Sequence, residues 1–226
     1  MGGLIAEDAG PAEIAELFNV SRESLEKLQI YADLLEKWQR RINLIGPQEM
    51  PRLWSRHIAD ALQLLEYIPD EVTCAVDLGT GAGIPGVILA VVLEQKMFHV
   101  NLVESNGKKA AFLREAVRQL EISADVHCKR IETLYGEAWV KDVEIVFARA
   151  LAPLPKLMDL AAPFVEKSKK MLLLKGLDVD SELTETTKCW NIEYQKYPSR
   201  THAGGCILNI KDFQCVSVSN RNEKPR

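Results

Sequence analysis

The sequence lacks the long apolar segments and the targeting signals that would place the protein in a membrane or outside the cell. Its longest apolar runs, such as GVILAVVL at 86–93, are far shorter than the ~20 residues that a membrane-spanning helix needs. Its first residues, MGGLIAEDAG, have neither the basic segment nor the apolar stretch of a secretory signal peptide. We therefore expect a cytoplasmic protein with no membrane partner.

Metal-binding and disulfide patterns are also missing. The five cysteines are an odd number, no two of them form a C-x-x-C pair, and the four histidines show no ligand spacing. We interpret the cysteines as buried free thiols: Cys74, Cys128, Cys189, Cys206 and Cys215. The sequence thus predicts no metal site and no disulfide.

Charge of one sign is not in large excess. The chain has 28 basic and 32 acidic residues, which gives a formal net charge of −4 at pH 7. This balance argues against a protein that coats nucleic acid indiscriminately, but it leaves room for a local basic face on an acidic body.

What is present begins with a helical segment. Residues 21–45 place apolar side chains at helical spacing, with Ser21 in the N-cap position, and the sequence GP stops this helix. A second helix is predicted at about 48–68. We therefore interpret residues 1–70 as an N-terminal helical cap.

From Val72 onward, short β-branched runs alternate with helical ones. This alternation implies right-handed βαβ crossovers and a mostly parallel, doubly wound sheet with helices on both faces. After residue 190 two strands follow each other, which predicts a C-terminal antiparallel hairpin at the sheet edge. The prediction is an α/β, Rossmann-like domain at 71–218 and a flexible basic tail at 219–226.

Four glycines fall within the sequence DLGTGAGIPG at 77–86, between a predicted strand and a predicted helix. The first such turn is the floor of the ligand crevice, and glycine lets the backbone approach a ligand closely. The last three of these glycines also fit the G-x-G-x-x-G pattern of dinucleotide-binding proteins. The anionic Asp77 and the missing N–H of Pro85 disfavour a pyrophosphate, whereas a cationic or zwitterionic nucleoside accepts both.

Residues suited to a nucleoside follow the next two predicted strands. Glu104 ends the second strand, where a carboxylate can accept both hydroxyls of a ribose. Ile131 follows the third strand and can lie against a purine face, with Glu132 beside its amino edge. Together with the glycine loop they predict an S-adenosylmethionine pocket, although each residue alone also fits a structural role. The loop glycines assigned to the amino-acid end of this ligand are Gly79, Gly81 and Gly83.

Several motifs resemble one known family. The resemblance runs from about residue 28 to 210 and rests on NLIGP, SRHIADALQLL, VDLGTGAGIPGVILA, ESNGKKAAFLREA, FARALAPL and LLLKG. These motifs are similar to those of the glucose-inhibited division protein B family, the bacterial 16S rRNA guanine-N7 methyltransferases also called RsmG. The resemblance implies a class I methyltransferase fold, S-adenosylmethionine as methyl donor and a guanine of 16S rRNA, free or in the small-subunit particle, as acceptor. It places cofactor contacts at Gly79, Ile84, Glu104, Ser105, Ile131, Glu132 and Arg149.

The sequence departs from the family pattern in two places. The first twenty residues match no part of it. Cys206 stands where members often carry an arginine, and the nearby Arg200 could substitute for that residue.

Methylation of guanine N7 sets an unusually simple chemical task, because N7 carries an exposed lone pair and no proton must be removed first. The enzyme has to hold N7, the methyl carbon and the sulfur in line. Arg149 follows the fourth predicted strand, and we predict that it orients the cofactor carboxylate or the guanine. The alternative is an ion pair with Asp77 or Glu104.

Local basic clusters are the candidates for contact with RNA. They comprise Arg52, Arg56, His57, Lys108, Lys109, Arg130, Lys175 and Arg200. A single charged helix face is usually only solvated, so we expect these residues to act together, as a basic rim over the pocket. We expect the protein to be a monomer.

Two other functions stay open at the level of the sequence. A related methyltransferase with a small-molecule or protein acceptor would turn over without RNA. A non-catalytic regulatory module would bind NAD. In a methyltransferase, S-adenosylhomocysteine should raise the melting temperature, whereas NAD should not.

Overall fold

The chain folds as a mixed β-sheet with helices on both faces and a helical cap at the N-terminal end. The computed structural model describes residues 3–165 and 170–216. Within these ranges, no helix is long and apolar enough to cross a membrane, and no group of three or more His, Cys, Asp or Glu could hold a metal ion. The predicted tail at 219–226, and the last two residues of the predicted domain, lie outside the described residues.

The cap contains regular helices and one mixed helical segment. Helix α1 spans Pro11–Leu17 and α2 spans Arg22–Gln39. The mixed segment is a 3-10 turn, a π-helical turn, helix α3 and a second 3-10 turn, at Met50–Arg52, Leu53–Ile58, Ala59–Leu62 and Gln63–Tyr67. The predicted second helix is therefore confirmed in position, but it is not a regular α-helix.

Helix α2 begins as predicted and ends early. The side chain of Ser21 accepts a hydrogen bond from Ser24 N, which confirms the N-cap. The prediction that this helix runs to residue 45 is wrong, because it ends at Gln39. The side-chain oxygen of Gln39 accepts hydrogen bonds from the backbone N–H groups of Leu44 and Ile45, at 2.8 and 3.1 Å, and so stabilises a turn in place of another helical turn.

The strands form one sheet beyond the cap. They are β1 Cys74–Leu78, β2 His99–Val103, β3 Ala124–His127, β4 Ile145–Arg149, β5 Met171–Lys175, β6 Trp190–Pro198 and β7 Cys206–Cys215. The strand order is β3-β2-β1-β4-β5-β7-β6. Strands β1 to β5 are parallel, and β7 is antiparallel to β5 and β6. The predicted sheet and its C-terminal hairpin are confirmed.

Four α-helices accompany the strands: α4 Gly86–Val92, α5 Gly107–Leu120, α6 Leu154–Ala161 and α7 Val179–Thr186. Alternate side chains of β1 point to opposite faces of the sheet. Ala75 joins a hydrophobic cluster with α2, α4 and α5, whereas Val76 joins the cluster of α6 and α7. Leu28 and Leu35 of the cap are fully buried in the first cluster. The cap therefore packs on the core of the sheet, and each of these leucines stabilises that contact by about 2 kcal/mol.

The segment before α1 bridges the cap and the loop between β6 and β7. Ile5 N donates to the carbonyl of Arg200 at 2.7 Å. Ser55 Oγ donates to the carbonyl of Glu7, and the Glu7 carboxylate lies 3.2 Å from Arg52 Nη1. Residues that matched no family motif thus fasten the β6–β7 loop to the cap.

The five cysteines are free thiols, as predicted, but the prediction that they are buried is wrong for most of them. Cys206 is buried and Cys74 is half-buried, whereas Cys128, Cys189 and Cys215 are exposed. Cys128 follows β3 and Cys189 precedes β6, and these two strands are the edges of the sheet.

Candidate active site

Two neighbouring cavities lie at the carboxyl ends of the parallel strands. The first, which we name the Glu104 cavity, has a volume of about 280 Å³ and lies beyond β1 to β4. The second, the Arg149 cavity, has a volume of about 550 Å³ and lies between β4, β5, the cap and the β6–β7 loop. Residues 150–152 belong to both walls. The location is the one where open α/β sheets bind their ligands.

The Glu104 cavity brings together most of the predicted cofactor residues. Its wall includes Gly79, Glu104, Ser105, Ile131 and Glu132. Gly81 lies beside it, because its N–H donates to Glu104 Oε2 at 3.1 Å. Gly83 and Ile84 are buried and do not belong to the wall, so they support the loop from below.

The loop glycines meet two different requirements. A Cβ at Gly79, Gly83 or Gly86 would overlap the side chain of Leu151, Val87 or Leu102, respectively. Beside Gly81, in contrast, the nearest protein atoms would be 3.8 and 3.9 Å from a Cβ, and its φ is +59°. Packing therefore requires glycine at Gly83 and Gly86, a φ of +66° favours it at Gly79, and the space beside Gly81 is open to a ligand.

Tyr31 connects the cap to the glycine loop. It lies on the buried face of α2, and its hydroxyl donates to the carbonyl of Ala82 at 2.7 Å. Burial raises the pKa of Tyr31, so the phenol stays neutral. The sequence indicated only an apolar helix face here. The sequence did contain one indication of this contact, because the hydroxyl of a tyrosine on a buried helix face usually forms a hydrogen bond.

Asp77 faces the interior and not the ligand crevice. It is fully buried, and its Oδ2 accepts hydrogen bonds from Gly86 N at 2.8 Å and from the Thr80 hydroxyl. Burial raises the pKa of Asp77 to about 6, against the opposing effect of these hydrogen bonds and of Arg149. The expectation that this anion would repel a bound pyrophosphate is therefore not supported, because Asp77 instead caps the start of α4.

The raised pKa of Asp77 predicts a pH-dependent stability. The folded state keeps its proton up to about pH 6, whereas the unfolded chain loses it near 3.8. This group therefore contributes stability at low pH that is lost as the pH rises through about 6. Relative to Asp77→Asn, the wild-type free energy of unfolding should fall by about 2 kcal/mol between pH 4.5 and 7.5. Urea unfolding of both proteins at the two pH values measures this difference, and a constant difference would contradict the assignment.

Glu104 presents a fixed carboxylate to its cavity. The residue is 9% exposed, its Oε1 accepts from Asn106 N at 2.7 Å, and its Oε2 accepts from Gly81 N. Each carboxylate oxygen can accept a further hydrogen bond. The arrangement suits a ligand with two adjacent hydroxyl groups.

Arg149 ends β4 and pairs with the cap. Its Nε lies 3.1 Å from Asp60 Oδ2, and the two side chains are 17% and 7% exposed. The expected alternative, an ion pair with Asp77 or Glu104, is wrong, because α3 places Asp60 over the end of β4. Burial lowers the pKa of Arg149 and Asp60 opposes this effect, so the guanidinium stays charged.

Ala150 adopts a left-handed conformation directly after Arg149. Its φ is +51°, a region that costs a residue with a Cβ about 1 kcal/mol. Ala150 lines both cavities, and such strain is often stored at functional sites. The sequence pointed to the FARA motif without revealing this turn.

Several predicted RNA contacts are paired within the protein. Ion pairs or hydrogen bonds join Arg52 to Glu7 and Glu49, Arg56 to Thr201, Lys175 to Glu182, and Arg200 to Glu66. Arg56 and Lys175 lie in the wall of the Arg149 cavity, and Lys175 also donates to the carbonyl of Ala152 at 3.2 Å. These two residues are therefore part of the cavity and not of an outer rim.

His57 is not a cation at neutral pH. It is buried within the π-helical turn, and its Nε2 lies 3.2 Å from Glu49 Oε2. Burial, together with the nearby Arg149 and Arg56, lowers the pKa of His57 to about 4. The prediction that His57 helps to attract RNA is thus not supported by its position or its charge.

Three predicted RNA contacts have no ion-pair partner in the described part of the chain. Lys108 and Arg130 are exposed, and Lys109 is half-buried beside Gly81. Arg130 lies in the wall of the Glu104 cavity. These cations are the part of the predicted rim that is free to meet a phosphate.

Comparison with known proteins agrees with the fold and the motifs. The GidB family model, described as rRNA small subunit methyltransferase G, matches residues 24–206. A relative named ribosomal RNA small subunit methyltransferase G, from a Bradyrhizobium species, is 48% identical over 94% of this chain and 94% of its own. Another of that name, from Paramagnetospirillum magneticum, is 45% identical over 90% of this chain and 96% of its own.

Solved structures confirm the predicted class I methyltransferase fold. A methyltransferase from Geobacter sulfurreducens has a TM-score of 0.54 at 11% identity and covers 92% of this chain and 98% of its own. A mutant of MtNAS in complex with S-adenosylmethionine has a TM-score of 0.54 at 15% identity and covers 92% of this chain and 86% of its own. At these identities the likeness shows the fold alone, whereas the family model and the relatives cover most of the sequence. The chain therefore belongs to the GidB family, the rRNA small subunit methyltransferases G.

Proposed function

We propose that the protein transfers a methyl group from S-adenosylmethionine to N7 of a guanine in 16S rRNA. The observation that carries this proposal is the pair of cavities that meet at residues 150–152, because neighbouring cavities can hold a methyl donor and an acceptor base next to each other. Membership of the GidB family supports the choice of rRNA as substrate. We further propose that the protein acts as a monomer, and an rRNA substrate supports a cytoplasmic location.

The Glu104 cavity fits the cofactor. Glu104 has free acceptor positions for the two ribose hydroxyls, and the open space beside Gly81 accommodates the amino-acid end. Ile131 offers an apolar side chain to the adenine, with Glu132 and Ser105 beside it. When bound, S-adenosylmethionine supplies an electrophilic methyl group on a sulfonium.

The Arg149 cavity fits the acceptor. A cation near guanine O6 offsets the positive charge that develops on the ring, and arginine readily binds the O6/N7 edge. Arg149 is held in this wall by Asp60, while Lys175 is paired with Glu182. No general base is needed, so the contribution of these residues is orientation, an effect that can reach roughly 7–11 kcal/mol.

Glu104→Gln tests the cofactor assignment. The variant keeps the shape of the side chain but weakens it as an acceptor for the ribose. Its Kd for S-adenosylmethionine should rise by about ten- to a hundredfold, that is ~1.5–3 kcal/mol. Calorimetry measures this change, with Glu36→Gln, an exposed glutamate of α2 paired with Arg40, as the control. A loss confined to RNA affinity would move Glu104 out of the cofactor site.

The proposed activity is tested by methyl transfer from labelled S-adenosylmethionine to naked 16S rRNA, to small-subunit particles and to whole ribosomes. We expect label in one guanine of the 16S rRNA, and cleavage chemistry specific for N7-methylguanine maps its position. Turnover without RNA would support a small-molecule or protein acceptor instead. A rise in melting temperature with NAD, and none with S-adenosylhomocysteine, would support the regulatory alternative.

A further inference from the structure

Asp60 joins separate parts of the chain at the Arg149 cavity. Its Oδ2 lies 3.1 Å from Arg149 Nε at the end of β4. Its Oδ1 accepts hydrogen bonds from Thr201 Oγ1 and from Gln63 Nε2, both at 2.7 Å. Arg56 Nη1 lies 4.0 Å from the same oxygen. One carboxylate thus connects the cap, the sheet and the β6–β7 loop.

This arrangement restricts the plane of the Arg149 guanidinium. A guanidinium has five N–H donors in a rigid fork. Asp60 Oδ2 lies nearest to its Nε, and within the described residues no Arg149 N–H, on either the Nε or the Nη side, donates a hydrogen bond to the protein. The Nη side is therefore available to a ligand in the cavity, and its direction is set by the carboxylate.

The charges around Arg149 give the Asp60 carboxylate an electrostatic role. Arg56 is a second cation beside the Arg149 cavity, and burial already disfavours the charge on Arg149. Without the Asp60 carboxylate, the positive charges of Arg149 and Arg56 would lose the anion that lies between them and the repulsion between them would increase. Arg149 is then expected to leave its present orientation, because a buried charge that has lost its partner is strongly disfavoured.

We propose that Asp60 is a positioning residue for methyl transfer, which holds the Nη side of Arg149 towards the acceptor guanine and ties this orientation to the β6–β7 loop through Thr201. The inference rests on the proposed function. It assigns a role to the last residue of the RHIAD sequence, which the sequence pattern alone does not indicate.

Asp60→Asn, Arg149→Lys and the double variant test this role by their kinetics. Asp60→Asn keeps the size of the side chain and removes its charge, and we expect kcat to fall about tenfold while the Kd for S-adenosylmethionine changes less than about threefold. The double variant should be little worse than Arg149→Lys alone, because Asp60 acts through Arg149. The matched control is Asp33→Asn, an exposed aspartate of α2 bound to Gln29, which should retain wild-type kcat. Independent, multiplying losses in the double variant would overturn the proposal.

A second measurement does not depend on activity. In wild-type protein the Nε–H signal of Arg149, identified by its absence in Arg149→Lys, should be protected from exchange with solvent, and Asp60→Asn should abolish this protection. Thr201→Val should also lower kcat, by a smaller factor than Asp60→Asn does. It tests the proposal if Asp60→Asn does not fold. An unprotected wild-type signal, or a Thr201→Val variant with unchanged kcat, would overturn the inference. Absence of methyl transfer to rRNA by the wild type would instead overturn the proposed function, while the exchange measurement still tests the position of Arg149.

Discussion

Gly81→Val is expected to raise the Kd for S-adenosylmethionine by at least about a hundredfold, because its side chain occupies the space that the protein leaves open beside the glycine loop. The nearest protein atoms to a Cβ at this position are 3.8 and 3.9 Å away, so the fold itself does not exclude the side chain by contact. Calorimetric titration with S-adenosylmethionine measures the loss. Unchanged affinity would remove this part of the loop from the binding site.

The positive φ of Gly81 makes a second variant necessary. Valine is β-branched and strongly disfavours a φ of +59°, so Gly81→Val combines steric exclusion with backbone strain. Asparagine tolerates this region far better. Gly81→Asn should therefore keep nearly wild-type stability in urea and still bind the cofactor poorly. Gly136→Val, at a glycine with open surroundings outside both cavities, is the matched control and should bind normally. If Gly81→Asn bound normally while Gly81→Val did not, strain and not occupation of the site would explain the loss.

The periodic features of the fold could be predicted because they depend on local rules. Alternation of β-branched and helical runs indicated the parallel sheet, and the serine at the start of α2 indicated where that helix begins. The glycine loop and Glu104 were predicted to meet because the carboxyl ends of neighbouring parallel strands share one edge. The end of α2 was missed because the side chain of Gln39 binds backbone groups that follow the helix. A periodicity argument contains no information on such a contact.

The predictions for Asp77 and Arg149 were wrong because the sequence does not show in which direction a side chain near the end of a strand points. Asp77 is the last residue but one of β1, yet its carboxylate points to the start of α4 and not to the ligand crevice. Arg149 pairs with Asp60, which belongs to a cap segment that contains a π-helical turn. An extra residue in a helical turn changes which side chains face the sheet, so regular helical spacing could not predict this pair. Residues distant in sequence meet here through tertiary packing alone.

The cap has a direct part in both halves of the site. Tyr31 donates a hydrogen bond to the carbonyl between two glycines of the loop, and Asp60 pairs with the arginine of the Arg149 cavity. Both contacts come from cap helices, α2 and α3, for which the sequence indicated only apolar packing on the sheet domain. If the two cavities hold cofactor and acceptor as proposed, the cap helps to set the relative position of the two, which in-line transfer demands.

Arg149→Lys is expected to lower kcat by on the order of ten- to a hundredfold while the Kd for S-adenosylmethionine changes less than about threefold. Lysine retains the charge beside Asp60, but it lacks the planar fork that can engage the ion pair and the guanine edge at once. Single-turnover methylation of the rRNA substrate, with cofactor affinity measured separately, distinguishes the two effects.

The matched control for this variant is Arg118→Lys. Arg118 is an exposed arginine in the last turn of α5, where it pairs with Glu115, far from the carboxyl ends of the parallel strands. It makes the same chemical change and should leave kcat unaltered. If Arg149 only balanced the charge of Asp60, lysine would suffice and Arg149→Lys would turn over at the wild-type rate. A fall in cofactor affinity as large as the fall in kcat would place Arg149 in the cofactor site instead. A selective loss of kcat is the outcome that the geometry favours, because Arg149 lies in the wall of the Arg149 cavity, proposed for the acceptor, and outside that of the Glu104 cavity.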